Sequence, residues 1–184
     1  MVSAKTVAGD TILKDKDGKE VKAGSLWSES AVLVIVLRRP GCLLCRDQAI
    51  TTWKNRDSLP KEMRLVCVLH EWKEREVEAF YPEYFGGELY YDESKAFYAA
   101  VHGGQVKKGS VLALLNPFGR AYSNMKRSKK SGQVKDSNLV GDGLTLGGLM
   151  IFKQGGDVAY SFAEETFGDH APFDVVVSEA AKAM

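Results

Sequence analysis

The sequence is poor in metal-ligand side chains and has no excess of charge of either sign. Its 184 residues include three cysteines and three histidines, and the formal net charge is +1. A structural zinc site needs four ligands, but the chain has no second cysteine pair, and His70, His102 and His170 lack ligand spacing. We therefore expect no metal site and no general attraction to nucleic acid or membrane surfaces.

Long apolar runs are also missing. No stretch approaches the roughly 20 apolar residues that a membrane-spanning helix requires, so no membrane span is predicted. The first 20 residues lack the apolar centre of a signal peptide and carry Asp10, Asp15 and Asp17. We therefore predict a cytoplasmic protein, in which a cysteine pair is more often catalytic or metal-binding than structural. Length and composition predict a single domain over residues 1–184.

A cysteine pair follows the most strongly strand-like part of the chain. Residues 31–37 (AVLVIVL) predict a buried parallel strand, and Cys42 opens the helix expected after it. A thiol at a helix N-terminus faces free backbone N–H groups and the positive end of the helix dipole, which favour the thiolate. Cys42 and Cys45 are spaced to share one helix face, close enough for a disulfide. The pattern predicts a thioredoxin-like redox site with Cys42 as the nucleophile and Cys45 as the resolving thiol.

Three arginines and several small or apolar residues surround the pair. Arg39 and Arg46 are predicted to stabilise the thiolate and the departing oxygen; the alternative is solvent exposure or pairing with carboxylates such as Asp47. For Arg38 the two interpretations are equally open. The third cysteine, Cys67, lies in an apolar run and is predicted to be a small buried hydrophobe. The predicted substrate-contacting residues are Pro40, Gly41, Leu43, Leu44 and Gly147.

The remaining pattern predicts an α/β fold of the thioredoxin-like type. A hairpin at 11–21 precedes a βαβ unit, and a ββα unit ends the chain. We expect a central mixed sheet flanked by helices, with an N-terminal β-hairpin and an irregular insertion before the final ββα unit. The predicted elements after the strand at 31–37 are helices at 42–56, 71–81, 93–101 and from Pro172, and strands at 63–69, 88–91, 149–153 and 158–162.

A basic segment lies within the irregular part. Residues 120–135 hold six cations and no acidic residue. A solvated, mobile loop is the favoured interpretation, with a phosphate or carboxylate site and a docking surface for an acidic partner as alternatives. The glycines between 141 and 148 do not form G-x-G-x-x-G and precede a strand, so no dinucleotide site is predicted.

At RRPGCLLCR the sequence resembles the AhpC/TSA-type peroxiredoxin-like family that includes prostamide/prostaglandin F synthase. Three further blocks are similar in the same order: YFGGELYYDESKAFY at 84–98, GDGLTLGGLMIFKQGGD at 141–157 and FGDHAPFDVVVSEAA at 167–181. The resemblance implies a thioredoxin fold and reduction of peroxide or endoperoxide bonds by the cysteine pair. It also implies no bound cofactor, with electrons from NADPH arriving through a thioredoxin-like reductant.

Two positions depart from the familiar patterns. Arg39 stands where a conventional peroxiredoxin has Thr or Ser, three residues before its peroxidatic cysteine, and Gly147 aligns with the cis-proline position of thioredoxins. The leading hypothesis is a thiol-dependent reductase of peroxide-type O–O bonds. The alternatives are a thioredoxin-like protein disulfide reductase and a non-enzymatic redox-sensing or interaction domain. The oligomeric state is left open.

Overall fold

Seven strands form one mixed β-sheet in the computed structural model, which describes residues 8–184. In chain order they are β1 (Ile12–Asp15), β2 (Glu20–Lys22), β3 (Val32–Leu37), β4 (Arg64–Leu69), β5 (Glu88–Tyr91), β6 (Gly148–Phe152) and β7 (Val158–Ala163). Their order across the sheet is β2-β1-β5-β4-β3-β6-β7. Strands β3, β4 and β5 run parallel, while β6 pairs antiparallel with β3 and β1 pairs antiparallel with β5.

Six α-helices lie wholly within the described part of the chain and surround the sheet. They are α1 (Leu43–Lys54), α2 (Glu74–Phe80), α3 (Ala96–Val101), α4 (Leu112–Leu115), α5 (Arg120–Ser131) and α6 (Phe173–Lys182), with short 3-10 helices at Ala23–Trp27 and Arg56–Ser58. Helix α1 connects the parallel strands β3 and β4, so its N-terminus lies at the carboxyl end of the central strand. Open α/β sheets bind their ligands at this end.

The apolar run at 31–37 forms the centre of the molecule because it has a helix layer on each side. All six residues of β3 are buried. Leu33, Ile35 and Leu37 belong to a core cluster with buried side chains of α1, α2 and α6. The alternate residues Val34 and Val36 belong to a second cluster, with buried side chains of α3 and the first 3-10 helix. A strand buried on both faces reads as a continuous apolar run rather than an alternating one.

The predicted thioredoxin-like fold is confirmed. The N-terminal hairpin forms as β1 and β2, and the strand at 88–91 has the predicted bounds. Two helices begin later than predicted, at Glu74 and Ala96, because the residue before each is not helical: Lys73 is extended and Lys95 is left-handed.

The favoured interpretation of residues 120–135 as a mobile loop is wrong. Twelve of these residues form helix α5, which buries Ala121 and Ser128. The helix is held by polar contacts to α1, since the hydroxyls of Ser128 and Ser131 donate to the Asp47 carboxylate at 2.7 and 3.0 Å. Because polar side chains make these contacts, the sequence of α5 has no long apolar stripe. The hydrophobic pattern of residues 120–135 therefore resembles that of a solvated segment.

Within residues 8–184 no helix has the length and apolar character needed to cross a membrane. Residues 1–7 lie outside the described part of the chain. They are part of the 20-residue segment in which the sequence predicts no signal peptide. The assignment of residues 1–184 to a single domain stays a prediction.

Candidate active site

The two cysteines lie at the start of α1. Cys42 has the extended backbone of an N-cap residue, and the Arg46 N–H donates to its carbonyl oxygen at 2.9 Å. The Cys42 and Cys45 side chains lie near 3.6 Å from each other, and both are free thiols. Helix geometry therefore places the pair on one face, as its spacing predicts.

Arg38 is the cation that contacts the Cys42 sulfur. Its Nη2 atom lies 3.7 Å from Cys42 Sγ, and its Nη1 atom is 3.2 Å from Oε2 of Glu164. The guanidinium also stacks over the Phe167 ring, 5.0 Å from the centroid. Arg38 and Glu164 are both buried, so the guanidinium is fixed between a carboxylate and the thiol.

These surroundings give the two thiols opposite acidities. The pKa of Cys42 lies well below its ordinary value because the Cys45 thiol hydrogen-bonds to the Cys42 sulfur; burial opposes this shift and Arg38 supports it. The pKa of Cys45 is raised by burial and by the hydrogen bond to Cys42. Cys67 is fully buried, as predicted, and burial raises its pKa. Cys42 is the nucleophile that this arrangement favours.

Glu164, which pairs with Arg38, has two further neighbours, Gly147 and His170. The Gly147 N–H donates to Oε2 of Glu164 at 3.0 Å, and the Glu164 N–H donates to the Gly147 carbonyl at 3.1 Å. Nε2 of His170 lies 3.7 Å from Oε1 of Glu164. Burial, with Arg38 and Arg127 nearby, lowers the pKa of His170 to about 3, so this imidazole is neutral at physiological pH.

Sequence reasoning did not find Glu164 or His170. Both lie more than 120 residues from Arg38 in the chain, and only the antiparallel pairing of β6 and β7 brings this end of the sheet beside β3. The position of Glu164 in the chain was a usable signal. It directly follows β7, and β7 ends beside Gly147, which was already predicted to contact substrate.

The other two arginines bind backbone carbonyls and loop residues. Arg39 donates from Nη1 to the Val140 carbonyl at 2.6 Å. Arg46 donates from Nε to the Pro40 carbonyl at 2.7 Å and pairs with Asp136 at 2.6 Å. Arg46 thus connects α1 to two loops, and the contact to the thiol that was predicted for Arg39 and Arg46 is made by Arg38.

A cavity of about 330 Å³ opens beside Cys42. Its lining is largely apolar, with cationic groups from three side chains. The lining residues are Arg38, Arg39, Cys42, Leu43, Leu44, Leu114, Met125, Lys129, Ser137, Asn138, Leu139, Gly143 and Phe167. A larger cavity of about 880 Å³, near Trp53 and Pro60, includes neither thiol.

The predicted substrate-contacting residues divide into two groups. Leu43 and Leu44 line the thiol cavity. Pro40, Gly41 and Gly147 are absent from its lining: the Pro40 carbonyl binds Arg46, and Gly41 lies against Asn138 and Glu76. A Cβ atom added at Gly147 would collide with the carbonyl oxygen of Val36, so this position has no room for a side chain. Gly147 contacts Glu164 through its backbone N–H and carbonyl groups.

Residues 51–166 match the family described as AhpC/TSA antioxidant enzyme, and the match begins after the cysteine pair. The Peroxiredoxin-like 2A protein of Xenopus tropicalis is 36% identical over 168 residues, which are 89% of this chain and 69% of that protein. The Danio rerio protein of the same name is 31% identical over 172 residues, covering 92% of this chain and 77% of that protein. The Homo sapiens protein is 34% identical over 172 residues, covering 91% of this chain and 70% of that protein.

Solved structures share the fold at much lower sequence identity. A cysteine-to-serine mutant of Xanthomonas campestris Peroxiredoxin Q superposes with a TM-score of 0.63 at 12% identity, covering 97% of this chain and 94% of that chain. The DsbF of MTB superposes with a TM-score of 0.57 at 12% identity, with both chains fully covered. At this level of identity the superpositions show a shared fold, in agreement with the predicted thioredoxin-like architecture.

Proposed function

The chain belongs to the AhpC/TSA antioxidant enzyme family, among the peroxiredoxin-like proteins, and on this basis we propose that it reduces peroxide-type O–O bonds through a Cys42/Cys45 dithiol–disulfide cycle. The observation that carries the proposal is the Cys42 sulfur at the N-terminus of α1, 3.7 Å from the buried Arg38 guanidinium, beside a cavity of about 330 Å³. An activated thiol, a fixed cation and space for a small molecule are the requirements for nucleophilic attack on oxygen.

In the proposed reaction the Cys42 thiolate attacks one oxygen and the O–O bond breaks. A hydroperoxide leaves sulfenic acid on Cys42 and an alkoxide, which takes a proton to become the alcohol; an endoperoxide leaves a sulfenate ester and an alkoxide in one molecule. Arg38 stabilises the negative charge on the departing oxygen. Cys45 then attacks the Cys42 sulfur, releasing water or the second alcohol and forming the Cys42–Cys45 disulfide.

An external dithiol completes the cycle. It attacks the disulfide, passes through a mixed disulfide and leaves with two electrons fewer, restoring both thiols. A thioredoxin-like protein that draws electrons from NADPH is the reductant that the family resemblance implies. Such a reductant must reach a largely buried pair, since Cys42 is 9% and Cys45 is 2% exposed.

The lining of the cavity supports an organic peroxide as the substrate. Leu44, Leu114, Met125 and Phe167 offer apolar surface on which hydrogen peroxide gains nothing. We therefore place alkyl hydroperoxides and endoperoxides, including the prostaglandin H2 endoperoxide that the resemblance suggests, ahead of hydrogen peroxide.

The proposal is tested by peroxide-dependent NADPH oxidation in the presence of thioredoxin and thioredoxin reductase. Wild type, Cys42→Ser, Cys45→Ser and Cys67→Ser are compared on hydrogen peroxide, an organic hydroperoxide and an endoperoxide. We expect Cys42→Ser to lose turnover, Cys67→Ser to retain it, and the organic substrates to react faster. Full turnover by Cys42→Ser would refute the proposal.

Protein disulfide reduction is the second activity that a Cys-x-x-Cys pair permits. The largely apolar cavity of about 330 Å³ beside Cys42 favours a small organic molecule over a protein disulfide as the substrate. Reduction of insulin disulfides without consumption of any peroxide would favour this second activity.

A further inference from the structure

An unusual surface surrounds the helix pair α4 and α5, outside the thiol cavity. The turn between these helices and the outer side of α4 expose large apolar side chains: Leu112 is 73%, Leu115 is 71% and Phe118 is 96% exposed. Several apolar side chains exposed within eight residues form a patch of the kind that soluble monomers seldom leave uncovered.

The segment of the chain that forms this surface contains no acidic residue. Residues 102–135 contain eight of the 25 Lys and Arg residues and none of the 24 Asp and Glu residues, so the rest of the chain has a formal charge of −7. On α5 the inner side carries the buried Ala121 and Ser128, while Lys126 and Lys130 are exposed one helical turn apart. Within residues 8–184 neither lysine has an ion pair, whereas Arg120 pairs with Glu165 and Asp169.

We propose that this surface, formed by Leu112, Leu115, Phe118, Lys126 and Lys130, docks on the face of an anionic lipid bilayer. Lysines beside a bilayer pair with anionic headgroups, while leucine and phenylalanine side chains enter the boundary between headgroups and acyl chains. The two chemistries lie on neighbouring helices, because the short turn at 116–119 connects the apolar helix to the basic one.

A second copy of the chain fits this surface less well. A two-fold interface places a patch against itself, and the uncompensated lysines of the two copies would then face each other. Anionic headgroups instead supply the opposite charge.

The helices that carry this surface also form part of the wall of the thiol cavity. Leu114 of α4 and Met125 of α5 both line it, as does the exposed Leu139. The docking itself does not depend on the proposed peroxidase activity, since it is measured as binding.

The test is cosedimentation of the reduced protein with phosphatidylcholine vesicles, with and without phosphatidylserine, at low and high salt. We expect wild type to bind only the vesicles that contain phosphatidylserine, and to dissociate as salt screens the lysines. Each lysine near an anionic bilayer strengthens binding about fivefold, so Lys126→Glu/Lys130→Glu should weaken it by about 25-fold or more. Leu112→Ser/Leu115→Ser/Phe118→Ser should also weaken binding.

The matched control is Lys61→Glu/Lys153→Glu, which makes the same charge change at two exposed lysines outside the surface. It should bind nearly as well as wild type, and the unfolding midpoints of all variants should agree. Failure of wild type to bind vesicles with phosphatidylserine, or equal weakening by the control, would overturn the proposal. Capture of an acidic protein by wild type but not by Lys126→Glu/Lys130→Glu, with no vesicle binding, would assign the surface to a protein partner and overturn it as well.

Discussion

Cys42 is set apart from the other two cysteines by its neighbours. The Cys45 thiol and the Arg38 guanidinium both stabilise a negative charge on its sulfur, while Cys45 and Cys67 are buried without comparable support. These surroundings therefore favour the thiolate at Cys42 and the neutral thiol at Cys45 and Cys67. Because the thiolate is the reactive form, the pH dependence of alkylation reports this difference directly.

The first prediction concerns the pH profile of iodoacetamide alkylation. An unperturbed thiol reacts with a midpoint near pH 8.5, about its ordinary pKa. The lowered pKa of Cys42 should keep one thiol reactive well below that pH. Mass spectrometry of tryptic peptides should locate the early adduct on Cys42, and Cys42→Ser should remove it. An early adduct on Cys45 would contradict the assignment of the nucleophile.

The second prediction concerns Arg38. Loss of one charged donor at a developing oxyanion typically costs about 100-fold to 1,000-fold in turnover. We expect Arg38→Met to show a loss of that size and to move the Cys42 alkylation midpoint upward. It should also destabilise the protein by about 3–5 kcal/mol, because Glu164 is left as an unpaired buried carboxylate.

A double variant separates the two effects of Arg38. Arg38→Met/Glu164→Gln removes the stranded charge, so it should recover much of the unfolding free energy while turnover and the alkylation midpoint stay impaired. Recovery of turnover together with stability would show that Arg38 acts only through folding.

At the scale of elements, the N-terminus of α1 is held by Arg46. Its guanidinium stacks over the Tyr84 ring at 4.7 Å, binds the Pro40 carbonyl and pairs with Asp136. These contacts join the helix to the loop that precedes Cys42 and to the segment that follows α5. The position of the nucleophile thus depends on a residue that does not itself contact the sulfur.

The third prediction distinguishes this positioning role from chemistry. Arg46→Ala should lower the unfolding free energy by about 3 kcal/mol or more, because it removes a buried charge from several acceptors. The alkylation midpoint of Cys42 in the folded protein should change little. Normal stability with lost turnover would instead support the catalytic role that the sequence suggests for Arg46.

Elements whose buried residues are apolar were predictable from the sequence, and an element held by polar contacts was not. The run at 31–37 and the strand at 88–91 could be located because burial selects apolar residues there. Helix α5 was missed because its contacts to Asp47 are made by serine hydroxyls. The choice of Arg38 over Arg39 and Arg46 depends on Glu164, a partner 126 residues away that local patterns cannot reveal.

At the scale of the whole molecule, buried ionisable groups couple stability to pH. The pKa of His170 is about 3 in the folded protein, below its ordinary value of 6.5. Between these values the unfolded chain binds a proton that the folded protein does not, so stability falls as the pH falls from 6.5 toward 3.

The fourth prediction follows from this loss of stability at lower pH. The slope contributed by His170 is at most about 1.4 kcal/mol per pH unit. Urea unfolding between pH 7 and pH 5 should therefore show a shallower decline for His170→Asn than for wild type. Parallel curves for the two proteins would indicate that folding does not lower the pKa of His170.

The most direct test of the central claim is a single turnover without any reductant. The reduced protein is mixed with one equivalent of an organic hydroperoxide in the absence of oxygen, and its cysteines are identified by mass spectrometry. The account predicts a Cys42–Cys45 disulfide in wild type and, in Cys45→Ser, a sulfenic acid on Cys42 that dimedone traps. Unchanged free thiols at Cys42 and Cys45 with the peroxide intact would contradict it.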